Sequence, residues 1–279
     1  MKIDLKDTWL IVQGTSFWND VDFKIGGTPY TDLYKIIDHY SMYNNVIWST
    51  WEDSPINVLE YLKQKDILTI INKYPQERGR GNCNLQKIST LNAIHVIKQF
   101  NPKYVFKIRT DLLFPKIESV IEKIKLRLND EKKLSGLCWD DWKESKFILD
   151  QLLFGEIEHV EAYWNLQNIN GFVERQVILE YLNKRGIEYN PEGCHEMGGG
   201  TDGFNFIKKY FDFFMQDLLD LNIDLISYKK YNPQPNGKNY TKHYSHQELH
   251  KTDEYPWFRK DWCQVLQFGE DLENRWKWK

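Results

Sequence analysis

Little in this sequence announces a chemistry, and its absences are informative. Cysteine is sparse and scattered: Cys83, Cys138, Cys194 and Cys263 form no CxxC pair, which argues against a zinc site and against a disulfide framework. Reduced thiols in a cytoplasmic compartment are the expectation. No run approaches the ~18 consecutive apolar residues of a membrane span, so any membrane association is expected to be peripheral, at the inner face, or made through a partner. The opening MKIDLKDTWLIVQG passes from charge straight into a short apolar run, without the h-region and small-residue cleavage site of a secretory signal. Neither sign of charge predominates, since 37 basic residues face 40 acidic ones for a formal charge of −3. No nucleic acid partner is expected on that balance.

Two phosphate-binding signatures are also missing. The first apolar run is followed by GTSFW and not by Gly-x-Gly-x-x-Gly, which disfavours a dinucleotide-dependent oxidoreductase. The run from Gly198 to Gly203 lacks the Gly-Lys-Ser/Thr ending of a P-loop. It reads as a connection in which Thr201 or Asp202 caps the next helix. His243, His246 and His250 have near-helical spacing and could supply a late metal ligand or phosphate contact, but with no cysteine or acidic partner in pattern they read as exposed loop residues.

Aromatics, by contrast, are plentiful at 15% of residues, with 11 Trp and 16 Tyr. Rings in that number exceed ordinary core needs and can line a sugar-binding cleft, although a bias toward AT-rich codons would produce the same surplus. A chain of 279 residues accommodates one large core, so a single domain is expected.

Periodicity predicts alternating strands and helices, the pattern of βα units around a mostly parallel, Rossmann-like sheet. Strands are expected at Thr8 to Gln13, Asn45 to Ser49, Ile67 to Asn72 and Tyr104 to Arg109. Between them lie a helix through Leu33, Ile36, Ile37 and Tyr40, a second from Pro55 to Gln64 opened by an Asp53-Ser54-Pro55 cap signal, and a third from Asn84 to Phe100 with Leu85, Ile88, Leu91 and Ile94 on its apolar side. The second half is less regular, with strands at Leu134 to Trp139, Leu152 to Gly155 and Asp224 to Tyr231, and helices from Val160, Phe172 and Phe204. Residues 232 to 251 read as a long loop. Ligands of such a sheet lie at the carboxyl ends of its strands, here Gln13-Gly14, Ser49 to Glu52, Asn72-Lys73 and Arg109-Thr110-Asp111.

The strongest local signal is YVFKIRTDLLF, residues 104 to 114. A carboxylate at a strand end beside an arginine can hold a divalent cation that neutralises a diphosphate. The same pair can equally be a structural ion pair. Together with VIWSTWE (46 to 52) and NCNLQKISTL (82 to 91), the segment KIRTDL (107 to 112) resembles the consecutive motifs of the WavE-type lipopolysaccharide-synthesis proteins. These have a strand ending in Ser-Thr-Trp, an Asn-x-Asn-Arg-Gln-x-x-Ser-Thr helix, and a strand ending in Lys-x-Arg-Thr-Asp. DQLLFG (150 to 155) with Tyr163-Trp164 is a weaker fourth match, and the likeness spans roughly residues 8 to 165.

That resemblance implies a GT-A-like glycosyltransferase fold and a part in building lipopolysaccharide or capsule. The donor would be a nucleotide sugar, the acceptor a glycan or glycolipid hydroxyl, and the cofactor Mn²⁺ or Mg²⁺. Residues 1–115 would form a nucleotide-binding half and 116–279 an acceptor-side half. Asp111 would ligate the metal, and Arg109 would orient Asp111 or the donor sugar. Gln13, Gly14, Thr50 and Trp51 would line the nucleotide site, with Asn84, Gln86, Lys87 and Thr90 facing the donor from a helix N-terminus, where backbone N–H groups favour anions. Trp51 can equally be a buried strand-end ring, and Gln86 and Lys87 a solvated helix face. Asp150 is favoured as general base over Asp140, Asp141, Glu192 and Glu196, because the fourth motif contains it. The sequence departs from the family in two places. Leu85 stands where the pattern has arginine, leaving Arg78, Arg80 or Lys87 to substitute, and Arg109 stands where many GT-A enzymes have the first acid of Asp-x-Asp. A non-catalytic carbohydrate-binding module is the alternative reading.

Overall fold

A computed structural model of the chain describes residues 2–14, 16, 24–25, 28–29, 33–79, 83–110, 112–113, 117–138, 148–165, 173–188, 209–213, 226–228 and 243–244. In chain order the elements are β1 (Thr8–Gln13), the short pair β2 (Lys24–Ile25) and β3 (Thr28–Pro29), α1 (Leu33–Tyr40), β4 (Val46–Trp51), α2 (Ile56–Gln64), β5 (Leu68–Asn72), α3 (Cys83–Ile97), β6 (Tyr104–Arg109) and β7 (Leu112–Leu113). They continue with α4 (Ile117–Lys125), β8 (Leu134–Cys138), β9 (Ile148–Glu156), α5 (Ile157–Trp164), α6 (Val173–Lys184), β10 (Phe211–Phe213), β11 (Ile226–Tyr228) and β12 (His243–Tyr244).

Seven strands form one sheet in the order β10-β8-β9-β6-β1-β4-β5. β1 pairs in parallel with both β4 and β6, and β4 with β5. β9 runs antiparallel to both β6 and β8, while β10 and β8 are parallel. The expected α/β architecture, a mostly parallel sheet flanked by helices, is therefore what the chain adopts. Strand alternation sends successive residues to opposite faces. Leu10, Val12, Trp48, Phe106 and Ile108 pack with α1, α2 and α4. Ile11, Ile47, Val105 and Leu153 pack with α3, α5 and α6. With both faces covered, the central strands are mainly apolar rather than alternating, the expected pattern of a buried parallel sheet, with Ser49, Thr50 and Lys107 as buried polar exceptions.

Several expectations need correction. Ser54 does not cap α2: Pro55 holds the cap position without a side-chain bond. The Ser54 hydroxyl pairs instead with Thr50 Oγ1 at 2.7 Å. The deeply buried side of α3 is Cys83, Ser89, Thr90, Ala93, Ile94 and Ile97; of the expected apolar side only Ile94 is fully buried, because the helix lies over polar strand ends in its first half. A 3-10 turn at Lys98–Phe100 finishes α3 and ends on left-handed Asn101, as Asn101-Pro102 leads one to expect. α4 was not anticipated, although Ile117, Val120, Ile121 and Ile124 form one buried stripe. Of the helix expected from Phe204, positions 204–208 lie outside the described residues. Phe211–Phe213 is a strand beside β8, held by Asp212, which accepts from Arg127 Nη2 at 2.8 Å and from Ser135 Oγ at 2.6 Å. Within the expected long loop, His243–Tyr244 pairs with β11, so His243 belongs to a strand.

Candidate functional site

The strand order reverses at β1. The chain moves from β1 to β4 and β5 on one side, then returns through α3 to place β6 on the other. Open sheets leave a crevice above the carboxyl ends of two strands that part in this way, and here those ends are Gln13-Gly14 and Arg109-Thr110. Gly14 N–H donates to Ser49 O at 3.0 Å, and Thr110 N–H to Gln13 O at 2.9 Å. With φ at 143°, Gly14 occupies a conformation that L side chains rarely adopt. A Cβ there would meet Thr110 Oγ1 at 2.5 Å, so the tight approach of the two strand ends requires glycine.

A chain of neutral hydrogen-bonding groups underlies this rim. Asn92 Nδ2 donates to Asn72 Oδ1 at 2.8 Å, and Asn72 Nδ2 donates to Ser49 Oγ at 2.9 Å and Thr50 O at 2.7 Å. Ser49 Oγ donates to Ser89 O at 2.7 Å, and Ser89 Oγ donates to Gln13 Oε1 at 2.6 Å. Gln13 is only 3% exposed. Its amino nitrogen makes no hydrogen bond among the described residues. Nearby on α3, Gln86 Oε1 and Thr90 Oγ1 are buried and have no partner among the described residues. Thr90 thus has no partner even in the carbonyl one turn back, the kind of acceptor that lies 2.8 Å from Ser89 Oγ as Leu85 O. Buried polar atoms of this kind are rare, and each calls for a partner.

The sequence-predicted residues divide by face. Gln13, Ser49 and the first half of α3 share one side of the sheet. Thr50 lies on the other, fully buried, its hydroxyl shared with Ser16 Oγ at 2.7 Å and with Ser54. Trp51 is 1% exposed, a strand-end ring stacked on Tyr74 at 4.8 Å between centroids. The Arg78 guanidinium sits 5.3 Å from the Tyr74 ring centre, and the Tyr74 hydroxyl donates to the Asp53 carboxylate at 2.8 Å. Burial, and then that bond to Asp53, hold the Tyr74 hydroxyl well above its ordinary pKa. Asn84 ties the preceding loop to α3 by donating to Glu77 O at 3.0 Å. Gln86 and Lys87 are half-buried rather than fully solvated.

Arg109 is the register partner of Gln13, so the guanidinium belongs to the crevice strand pair. Asp111 lies outside the described residues, as do Arg80, Asp140, Asp141, Glu192 and Glu196. Asp150 is in β9, whose antiparallel register pairs Leu152 with Ile108. Its backbone therefore starts from the same end of the sheet as Arg109 and Thr110. Sequence reasoning passed over Ser89, Asn92 and Tyr74 as site residues. Ser89 stood inside a quoted motif, but nothing in one-dimensional spacing shows a helix serine reaching a glutamine 76 positions earlier. The aromatic surplus goes largely to the core among the described residues, where Trp48, Trp51, Trp164, Tyr40, Tyr43, Tyr163 and Tyr181 are buried.

No family model matches the chain, and no curated protein matches it. Solved structures that it resembles include a cytidylyltransferase from Leptospira borgpetersenii serovar Hardjo-bovis, with TM-score 0.42 and 13% identity over 77% of this chain and 93% of that one. Another is a 4-diphosphocytidyl-2C-methyl-D-erythritol synthase from Anaerococcus prevotii, with TM-score 0.40 and 11% identity over 75% and 88%. A mannosyltransferase from Pyrobaculum calidifontis, in complex with GDP-Man and Mn²⁺, gives TM-score 0.39 and 11% identity over 63% of this chain and 51% of its own. All three are loose superpositions.

Proposed function

We propose that the chain is a GT-A-like glycosyltransferase of the WavE-type kind, moving a sugar from a nucleotide diphosphate sugar to a hydroxyl of a growing surface glycan such as lipopolysaccharide or capsule. The observation that carries this reading is convergence. The motif segments ending β4, opening α3, ending β6 and opening antiparallel β9 are far apart in sequence, yet all reach the rim at the carboxyl ends of the parallel strands of one sheet. In this reading residues 1–115 hold the nucleotide, 116–279 address the acceptor, and the whole is one domain.

The chain's own groups would act as follows. Gly14 leaves the rim open for close approach of the ligand to backbone. Arg109, beside Gln13, offers a fixed cation to the diphosphate. Asp150 takes the proton of the acceptor hydroxyl as it attacks the anomeric carbon, a role that needs a carboxylate within hydrogen-bond reach of that proton. Among the described residues no cluster of three His, Cys, Asp or Glu is placed to hold a metal. A single carboxylate from Asp111, with the donor phosphates and water, suits Mg²⁺ or Mn²⁺, which bind nucleotides through one or two carboxylates. Such an ion, when bound, supplies charge neutralisation of the departing diphosphate.

The burial of Trp51, together with that of Trp48 and Trp164, favours the enzyme over a glycan-binding module, which needs exposed rings. Calorimetric titration of UDP, GDP, CDP and dTDP, with and without Mn²⁺, tests the proposal: at least one should bind with metal-dependent affinity, and silence across the panel rejects it.

A further inference from the structure

The geometry points to Gln13 as a hydrogen-bond donor to the nucleotide, with Ser89 as the positioning residue that aims it. This rests on the nucleotide reading above and extends it to one atom, the Gln13 amino nitrogen. Three observations support it. Gln13 is 97% enclosed by its 3% exposure, so its carboxamide cannot turn freely in solvent. Its oxygen already accepts from Ser89 Oγ at 2.6 Å, closer than the other two acceptors of that hydroxyl, Leu85 O at 2.8 Å and Gln86 O at 3.2 Å. Its amino nitrogen has no partner among the described residues, while it stands at the end of β1, where the sheet's crevice opens.

A primary amide fixed through its oxygen presents only N–H donors on its free side. The matching group on a ligand is an accepting oxygen, either a base carbonyl or a diphosphate oxygen. Ser89 itself is anchored through its backbone carbonyl, which accepts from Ser49 Oγ at 2.7 Å, and Ser49 is held by Asn72, which Asn92 holds in turn. Orientation of a single amide is thus imposed by β4, β5 and α3 together. An amide oriented in advance forms its bond without the ordering cost a loose one incurs.

Binding of UDP, GDP, CDP and dTDP with Mn²⁺, measured on the full chain as wild type, Ser89→Ala and Gln13→Glu, tests the inference, with melting temperature recorded for each. Gln13→Glu keeps the shape and an acceptor for Ser89 but replaces the donor, and should weaken the nucleotide that binds wild type by ~10-fold or more; Ser89→Ala should weaken it by ~3- to 10-fold. The two losses should not add, since both act on one contact. Nucleosides and inorganic pyrophosphate, titrated separately, distinguish a base carbonyl from a phosphate oxygen as the acceptor. Undiminished binding in Gln13→Glu overturns the inference, as does a Ser89→Ala variant with lowered melting temperature and wild-type affinity. If Gln13→Glu does not fold, Ser89→Ala decides alone. Failure of the wild type to bind any of the four nucleotides would instead overturn the nucleotide reading itself, and this inference with it.

Discussion

Gly14 concentrates two constraints in one position, a backbone angle closed to side chains and a neighbour 2.5 Å from where a Cβ would stand. Gly14→Ala should therefore destabilise the chain by about 1–3 kcal/mol, read as a lower urea midpoint. Adding Thr110→Ala should recover part of that loss, because it removes the clashing hydroxyl but not the angle. Asp111 and Asp150 divide the proposed mechanism. Asp111→Asn should weaken metal-dependent nucleotide binding while leaving the melting temperature unchanged, since Mg²⁺ and Mn²⁺ prefer charged oxygen ligands. A shifted melting temperature with intact affinity would instead identify a structural ion pair with Arg109. Asp150→Asn should keep nucleotide affinity and reduce turnover by ~10²-fold or more; equal turnover would transfer the base role to Asp140, Asp141, Glu192 or Glu196.

At the scale of elements, β10 depends on a few polar anchors as well as on Phe211. Asp212 is 7% exposed and accepts from Arg127 Nε at 3.1 Å, from Arg127 Nη2 at 2.8 Å and from Ser135 at 2.6 Å. Asp212→Ala removes the acceptor of Ser135 Oγ and a counter-charge of the Arg127 guanidinium. Because Arg127 is partly exposed and recovers some hydration, a loss of about 2 kcal/mol is expected, measured by chemical denaturation; an unchanged midpoint would mean that Phe211 alone secures the edge. The elements most legible in sequence were those with one dominant signal, and β1 and β6 fall at the expected residues because short, mainly apolar stretches, WLIV and YVFKI, stop at Gln13-Gly14 and at Arg109. α3 was legible as a helix but not by its buried side, since Ser89 faces inward for hydrogen bonds that hydrophobic periodicity does not register, and polar Thr90 is buried beside it. β10 is three residues long, too short to show a period at all.

For the whole molecule, pH enters through His159, whose pKa burial lowers, assisted by Arg185, against a smaller upward pull from Glu156. The folded state then binds fewer protons than the unfolded one below about pH 6.5, so stability is lost as pH falls through that region and is retained above it. His159→Gln should flatten the melting temperature profile there, and an unaltered slope would assign acid sensitivity to other groups. The candidate site was legible as a set of strand ends but not as a network. Residues such as Gln13, Ser49 and Asn72 are ordinary in sequence and acquire their roles only when register sets them side by side. Thr50 shows the converse, since adjacency to Ser49 in the chain places it on the opposite face.

The central position of β1 also bears on how the sheet is assembled. Its partner β4 follows soon after it, but Leu10 meets Phe106 only when roughly a hundred further residues have been made, a separation that slows folding through the entropy of closing so long a loop. Until then the hydrogen-bonding edge of β1 that β6 will occupy has no mate. Synthesis at about 5–20 residues per second extends that interval to several seconds, and the nascent chain, more than the finished protein, is where this fold is open to aggregation and to chaperones.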